Sequence, residues 1–130
     1  MGVQMSDAIG TFEMKHTGSH YGRTDDGRLI TNSNFEGTGS GYGVGFGTLT
    51  IIQPLSEANA TSGKCTWSGQ SFHEDGTTLG FLAEGTWEQT PGANQWTITL
   101  IANVSNGDRI RCVGIAEFSS RTFAGEIFPA

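Results

Sequence analysis

Three ionisable residues near the C-terminus, Arg111, Glu117 and Glu126, are the first candidates for chemistry because they lie among alternating apolar side chains. If Asn106-Gly107 and Ser119-Ser120 are two-residue turns, the hairpin pairing puts all three on one face with Trp and aliphatic residues. A carboxylate in such surroundings has a raised pKa and can act as a general acid or base. We therefore expect Glu117 to move a proton, Arg111 to hold a substrate oxygen and Glu126 to contact the substrate.

His16 and Tyr42 are the other candidate catalytic residues. His16 follows Met14 on the apolar side of the first alternating segment, so it is a second candidate for proton transfer. Tyr42 would supply a hydroxyl donor if its side of the glycine-rich segment turns inward. His20 lies in a predicted Gly/Ser loop, and His73 lies in a predicted turn, so both are weaker candidates.

None of the motifs that bind metals, nucleotides or phosphate is present in the sequence. No ligand pairs have zinc or calcium spacing, and no Ser or Cys stands in a nucleophile elbow. Glycine occupies every odd position of residues 37–47, which cannot supply the offset of a dinucleotide loop. Gly63-Lys64 lacks the upstream glycine of a phosphate-binding loop. We therefore predict neither a metal nor a cofactor.

The charge balance excludes two classes of partner. Seven Lys and Arg stand against thirteen Asp and Glu, for a net charge of −6, and no basic cluster is present. Such a chain lacks the positive surface that binds nucleic acids or anionic lipids. The uncharged stretches 37–56 and 89–107 are interrupted by polar residues and Gly, so neither predicts a transmembrane helix.

The two cysteines, Cys65 and Cys112, can form one disulfide at most. The N-terminal segment lacks the basic start and apolar stretch of a signal peptide. We therefore expect reduced thiols and a cytoplasmic protein.

Period-two alternation of apolar and polar residues runs from end to end, whereas only residues 54–60 suggest a helical turn. We predict a single all-β domain over residues 1–130, a small closed antiparallel β-barrel of about eight strands. Most of it would be an up-and-down meander, because an open sheet of this kind would expose two edges. A two-sheet β-sandwich is the alternative. Turn signals separate the strands at Asp26-Gly27, Asp75-Gly76, Pro91-Gly92, Asn106-Gly107 and Ser119-Ser120.

The glycines of residues 37–47 leave one face of an extended chain without side chains. One interpretation is curvature, since glycine lets a barrel strand bend and approach its neighbours closely. The other is that this face makes room for a ligand. The two interpretations are compatible.

Hairpin pairing sorts the strands after residue 78 into two faces. The face that we place inside has Phe81, Trp87, Trp96, Ile98, Leu100, Arg111, Val113, Ile115, Glu117, Glu126 and Phe128. The other face has Glu84, Thr97, Thr99, Ile101, Cys112, Gly114, Phe118, Phe123 and Ile127. Its large apolar residues Ile101, Phe118, Phe123 and Ile127 are more than a monomer normally exposes, so we expect either self-association into a homo-oligomer through the barrel wall or a covering segment. The alternative for the charged residues is a position at the barrel rim in water.

The sequence resembles the small β-barrels of the allene-oxide-cyclase and dirigent type. The resemblance lies in GTGSGYGVGFGTLT (37–50), GTWEQ (85–89) and DRIRCVGIAEFSSRTFAGEIF (108–128). It implies a closed barrel with an apolar central cavity, often in a dimer or trimer, and a reaction that needs no cofactor. It supplies no catalytic residue by correspondence.

The sequence thus favours a cofactor-independent enzyme that binds a small hydrophobic or aromatic molecule. It would catalyse an isomerisation, cyclisation or elimination, with Glu117, His16, Arg111 and Tyr42 as catalytic residues. The substrate would contact Trp67, Trp87, Trp96, Phe81 and Glu126. The alternatives are a non-catalytic carrier of a lipophilic ligand and a structural module whose barrel is filled by side chains.

Overall fold

A computed structural model describes residues 7–130 as a closed antiparallel barrel of eight strands, which confirms the predicted fold. Each strand pairs with its neighbours in chain order, and β1 pairs with β8 to close the barrel. The strands are β1 (Gly10–Arg23), β2 (Leu29–Gly39), β3 (Gly43–Gln53), β4 (Ser62–Phe72), β5 (Thr78–Gln89), β6 (Gln95–Val104), β7 (Arg109–Glu117) and β8 (Thr122–Pro129).

The segment between β3 and β4 contains a single 3-10 turn, Leu55–Glu57, where the sequence indicated a helical turn. Within residues 7–130, no helix is both long and apolar enough to cross a membrane.

Side chains from all eight strands form one apolar core inside the barrel. An aromatic layer, formed by Phe35, Trp67 and Phe123, crosses the middle of the barrel. The ring centroids of these three residues are 5.5–6.1 Å apart. Such tilted aromatic contacts add to the stabilisation from the buried area itself.

The turn between β6 and β7 is one residue longer than predicted. The Val104 N–H donates to the Asp108 carbonyl at 2.9 Å, so Ser105, Asn106 and Gly107 form a three-residue turn. Gly107 has φ +96°, as the last position of such a turn requires. Consequently Asn103, and not Val104, pairs with Arg109.

This one-residue difference reverses the facing of every side chain on β7, because successive residues of a strand point to opposite faces. The following turn has the predicted length, with Glu117 opposite Thr122, so the reversal continues through β8. The predicted inward placement of Arg111, Glu117 and Glu126 is therefore wrong, as is that of Val113, Ile115 and Phe128. Conversely, the face that contains Cys112, Phe123 and Ile127 points inward, and Phe123 and Ile127 are buried in the core.

The faces of β5 and β6 are as predicted. A tight turn at Pro91-Gly92 would set Trp87 opposite Trp96, but Trp87 pairs with Ile98, two residues further along β6. An even shift keeps the same face inward, so Trp87, Ile98 and Leu100 are buried, and Phe81 and Trp96 pack against the core.

The glycine-rich segment 37–50 is not one continuous strand. Residues 40–42 form the turn between β2 and β3, and Gly41 and Gly43 have φ of +78° and +74°. On the two strands the glycines allow close packing at one position and border open space at another, while a ligand in that space stays a prediction. Gly37 allows close approach of β1, since a Cβ there would meet the Glu13 carbonyl, and Gly45 borders open space inside the barrel.

Candidate functional site

In the barrel formed by residues 7–130, a cavity lies towards each end. The first end has the β2–β3, β4–β5 and β6–β7 turns. The second end has the other four connections, which are β1–β2, β3–β4, β5–β6 and β7–β8. The aromatic layer lies between the cavities, since Trp67 and Phe123 border the first one and Phe35 contacts His16 near the second.

The cavity at the first end, here the Tyr42 cavity, has a volume of about 100 Å³. Its lining is mostly apolar and comes from all strands of the barrel. The glycines of β2 and β3 keep it open: a Cβ on Gly39 or Gly45 would come no closer than 3.6 Å to any atom. The apolar side chains that line it include Phe12, Met14, Trp67, Phe81, Ala83, Leu100, Ala102, Ile110, Phe123 and Ile127.

Ser71 is the most deeply buried polar side chain of this cavity. Its relative exposure is 3%, and its Oγ has no hydrogen-bond partner among the described residues. It faces inward on β4 opposite Gly45, whose missing side chain leaves space beside it. A buried hydroxyl without a partner costs free energy, so Ser71 is an unused hydrogen-bonding group in an apolar chamber.

Tyr42 separates this cavity from the solvent at the first end. Its side chain borders both the cavity and a surface depression formed by the turns. The ring packs edge-on against Phe81 at 5.3 Å, and the hydroxyl donates to the Asp108 carboxylate at 2.9 Å. Burial and this hydrogen bond raise the pKa of Tyr42 to about 12.

Cys112 also lines the Tyr42 cavity. Burial raises the pKa of its thiol to about 11, so the thiol stays protonated at neutral pH and is a poor nucleophile. Burial raises the pKa of Cys65 to about 11 as well, and the two cysteines are not joined by a disulfide in this structure.

The cavity at the second end, here the Trp96 cavity, has a volume of about 360 Å³ and is bordered by the connection 58–60. Trp87 and Trp96 line it together with Phe118. The indole Nε1 of Trp87 lacks a hydrogen-bond partner within the described chain and lies over Gly63. This end is more polar than the first, because Thr31, Ser33, Gln53, Asn59, Gln89 and Asn94 are part of its border.

His16 lies beside the Trp96 cavity in an aromatic stack. Its ring is 5.4 Å from Phe35 and 5.2 Å from Phe118, which in turn contacts Trp96 at 5.2 Å. Its Nε2 is 2.8 Å from the Ser19 hydroxyl across a β-bulge in β1. His16 is thus half-buried, as the sequence suggested, but it lies beyond the aromatic layer from the Tyr42 cavity.

The other two histidines are surface residues. His20 lies in β1 and not in a loop, and its Nδ1 is 3.3 Å from the Asn34 side-chain nitrogen. His73 lies in the β4–β5 turn, as predicted.

The charged candidates lie on the outer surface of the barrel. The Arg111 guanidinium covers the ring of Phe128, 4.4 Å from its centroid, which gives a cation–π contact. Hydrogen bonds from Gln95 at 2.6 Å and Ser119 at 3.0 Å hold the pKa of Glu117 below its usual value. This is opposite to the raised pKa expected for a buried acid, and Glu126 is exposed.

The predicted site residues therefore divide into three groups. Tyr42, Trp67 and Phe81 meet at the Tyr42 cavity. Trp87 and Trp96 border the Trp96 cavity, and His16 lies beside it. Arg111, Glu117 and Glu126 point away from both. The sequence analysis missed Ser71, although its even spacing from Trp67 on β4 is the signal that places it on the same face.

Within residues 7–130, no three or more His, Cys, Asp or Glu side chains lie close enough together to hold a metal ion. Comparison with known proteins leaves the resemblance to allene-oxide-cyclase and dirigent barrels a prediction. No protein-family model, no curated protein and no solved structure matches this chain.

Proposed function

We propose that this barrel binds a small, neutral, predominantly apolar molecule in the Tyr42 cavity. The observation that supports the proposal is the cavity itself, which has about 100 Å³ of space with a mostly apolar lining inside the barrel. Well-packed interiors seldom leave space of this size, and filling it with side-chain atoms would normally stabilise the fold. An apolar cavity of about 150 Å³ stays dry and accepts benzene or xenon.

The residue types that line the Tyr42 cavity favour a neutral ligand. No Asp, Glu, Lys, Arg or His borders the cavity among residues 7–130. A charged ligand would lose its hydration there without gaining an opposite charge, which is strongly unfavourable. The size of the cavity favours a molecule no larger than a single six-membered ring.

Binding is better supported than acid–base catalysis. A general acid or base must lie within hydrogen-bond distance of the reacting atom. Of the four predicted catalytic residues, only Tyr42 borders this cavity, and its raised pKa makes it a weak acid at neutral pH. The cofactor-independent isomerase, cyclase or lyase stays a prediction, and in this cavity it would depend on Tyr42.

The proposal is tested by titrating the protein with xenon and with benzene while the methyl resonances of Met14 and Ile127 are followed by NMR. Both side chains line the cavity, so we expect saturable shifts of these methyl groups. Ala102→Val, which adds two methyl groups inside, should weaken binding. Leu82→Ala is the control, because Leu82 lies on the outer face and is 68% exposed. The absence of saturable shifts with either probe in the wild-type protein would overturn the proposal.

The predictions of a homo-oligomer and of a cytoplasmic location are separate from this proposal. The prediction of which apolar residues promote self-association was partly wrong, since Phe123 and Ile127 are buried inside the barrel. Large apolar side chains that do lie exposed on the outer face include Val44, Phe46 and Phe72. Sedimentation analysis of the purified protein tests the oligomeric state directly.

A further inference from the structure

We infer that the ligand of the Tyr42 cavity has one hydroxyl or carbonyl oxygen, which forms a hydrogen bond with the Oγ of Ser71. This inference rests on the proposed function of the cavity. It assigns the ligand to a chemical class, that of neutral monofunctional compounds the size of phenol, and it makes Ser71 the residue that recognises the oxygen.

The Ser71 hydroxyl is buried and has no hydrogen-bond partner among the described residues. Its side chain is 97% buried, since its relative exposure is 3%, and its Oγ makes no hydrogen bond within residues 7–130. Buried polar side-chain atoms in folded proteins nearly always have a partner. A hydroxyl that faces a cavity and has none is therefore suited to bind something in that cavity.

The open space of the cavity lies beside this hydroxyl. Ser71 pairs with Gly45 on β3, which has no side chain to cover it. A Cβ built on Gly45 would meet only the Gln70 carbonyl at 3.6 Å and the Met14 methyl at 3.7 Å. Met is an adaptable side chain that adjusts to the shape of a ligand. A ring placed over Gly45 would thus contact Met14 and bring its substituent to Ser71.

Water is poorly suited to the position beside Ser71. A buried water molecule normally makes about three hydrogen bonds, and sites that hold one need two to four polar partners. The Tyr42 hydroxyl already donates to Asp108, and the Cys112 thiol is a weak hydrogen-bonding group. A ligand with one oxygen and an apolar body matches one free hydroxyl in an apolar chamber.

The test compares phenol with toluene, which have nearly the same shape but differ in hydrogen bonding. Dissociation constants for both probes are measured by NMR on the wild-type protein and on Ser71→Ala. The matched control is Ser68→Ala, because Ser68 lies on the same strand and is exposed on the outer face. We expect Ser71→Ala to weaken phenol binding about threefold to tenfold, the range of one net hydrogen bond, with toluene binding unchanged.

The outcomes separate the inference from the proposed function. If neither probe binds the wild-type protein, the proposed function fails. If toluene binds and phenol binds at least tenfold more weakly, or if Ser71→Ala leaves the phenol affinity unchanged, the inference about Ser71 fails while the cavity remains a binding site. The ratio of the phenol and toluene dissociation constants of the wild-type protein tests the inference even where Ser71→Ala does not fold. If Ser71 did not bind the phenol hydroxyl, that hydroxyl would be buried without a partner and phenol would bind more weakly than toluene.

Discussion

The indole ring of Trp67 on β4 occupies the space over Gly47 on β3 in which any other residue would place its Cβ. The same indole lies beside Gly69, which pairs with Gly47. The two glycines thus form a flat surface on which Trp67 lies, and Trp67 in turn borders the Tyr42 cavity and belongs to the aromatic layer. The position of Trp67 at the border of the cavity therefore depends on the absence of a side chain at Gly47.

We predict that Gly47→Ala destabilises the barrel by about 1–3 kcal/mol, the usual cost of forcing extra atoms into a packed core. Trp67 must move because the new methyl group and the indole cannot occupy the same space. Chemical denaturation followed by Trp fluorescence measures the change. The matched control is Gly45→Ala, whose methyl group meets ordinary contacts at 3.6 and 3.7 Å. Equal stability of the two variants would contradict the role assigned to Gly47.

The period of the apolar residues is sufficient to predict much of this fold. It gives the strands, the meander and the inward faces of β5 and β6, because a residue's face depends only on counting by two along the strand. Closure into a barrel follows from the need to pair the edges of the first and last strands. The alternation also places Trp67 and Phe81 inside.

The candidate site could not be predicted to the same extent, because it depends on the length of one turn. Asn106-Gly107 fits a two-residue turn, but it also fits a three-residue turn in which Gly107 takes the positive φ. The sequence signal is the same for both, and the outcome decides whether Arg111 or Cys112 faces inward. The glycine-rich segment has a similar ambiguity, since its alternation conceals the turn at residues 40–42.

We predict that cysteine labelling distinguishes these two registers. Cys112 should react slowly with iodoacetamide in the folded protein, because its thiol is half-buried and its pKa is about 11. A cysteine introduced by Arg111→Cys should react more than about tenfold faster, since that position is on the outer face and the pKa of an unperturbed thiol is about 8.5. Peptide mass spectrometry measures both rates in one sample. Fast labelling of Cys112 together with slow labelling of the introduced cysteine would instead support a two-residue turn between β6 and β7.

We predict that Tyr42 loses its proton only near pH 12. The variant Tyr21→Phe leaves Tyr42 as the one tyrosine of the chain, so phenolate absorbance follows it alone. Asp108→Asn should lower the pKa only in part, because burial is the larger cause and the carboxylate the smaller one. Titration of Tyr42 near the ordinary value of 10 would contradict the buried, hydrogen-bonded position.

The same shift makes the stability of the barrel depend on pH in a defined range. The unfolded chain releases the Tyr42 proton near pH 10, whereas the folded protein holds it to about 12. The contribution of Tyr42 is therefore fully present below pH 10 and is lost as the pH rises towards 12. Tyr42→Phe should lack this loss, so its unfolding free energy relative to the wild type should rise over that range. Parallel curves for the two proteins would count against the prediction.

We predict that Gln95→Ala raises the pKa of Glu117 towards its usual value. The Gln95 amide donates a 2.6 Å hydrogen bond to the Glu117 carboxylate, and this bond is the largest cause of the lowered pKa. Because the folded protein favours the carboxylate, the contribution of Glu117 to stability is present above its unfolded pKa and is lost as the pH falls through its folded pKa. Carbon NMR of the Glu117 carboxyl measures the shift, with Thr97→Ala on the same strand as the control. If Glu117 is a surface residue oriented by its neighbours, only Gln95→Ala moves the titration. A pKa above the usual value in the wild-type protein would instead indicate the buried acid that the two-residue turn predicts.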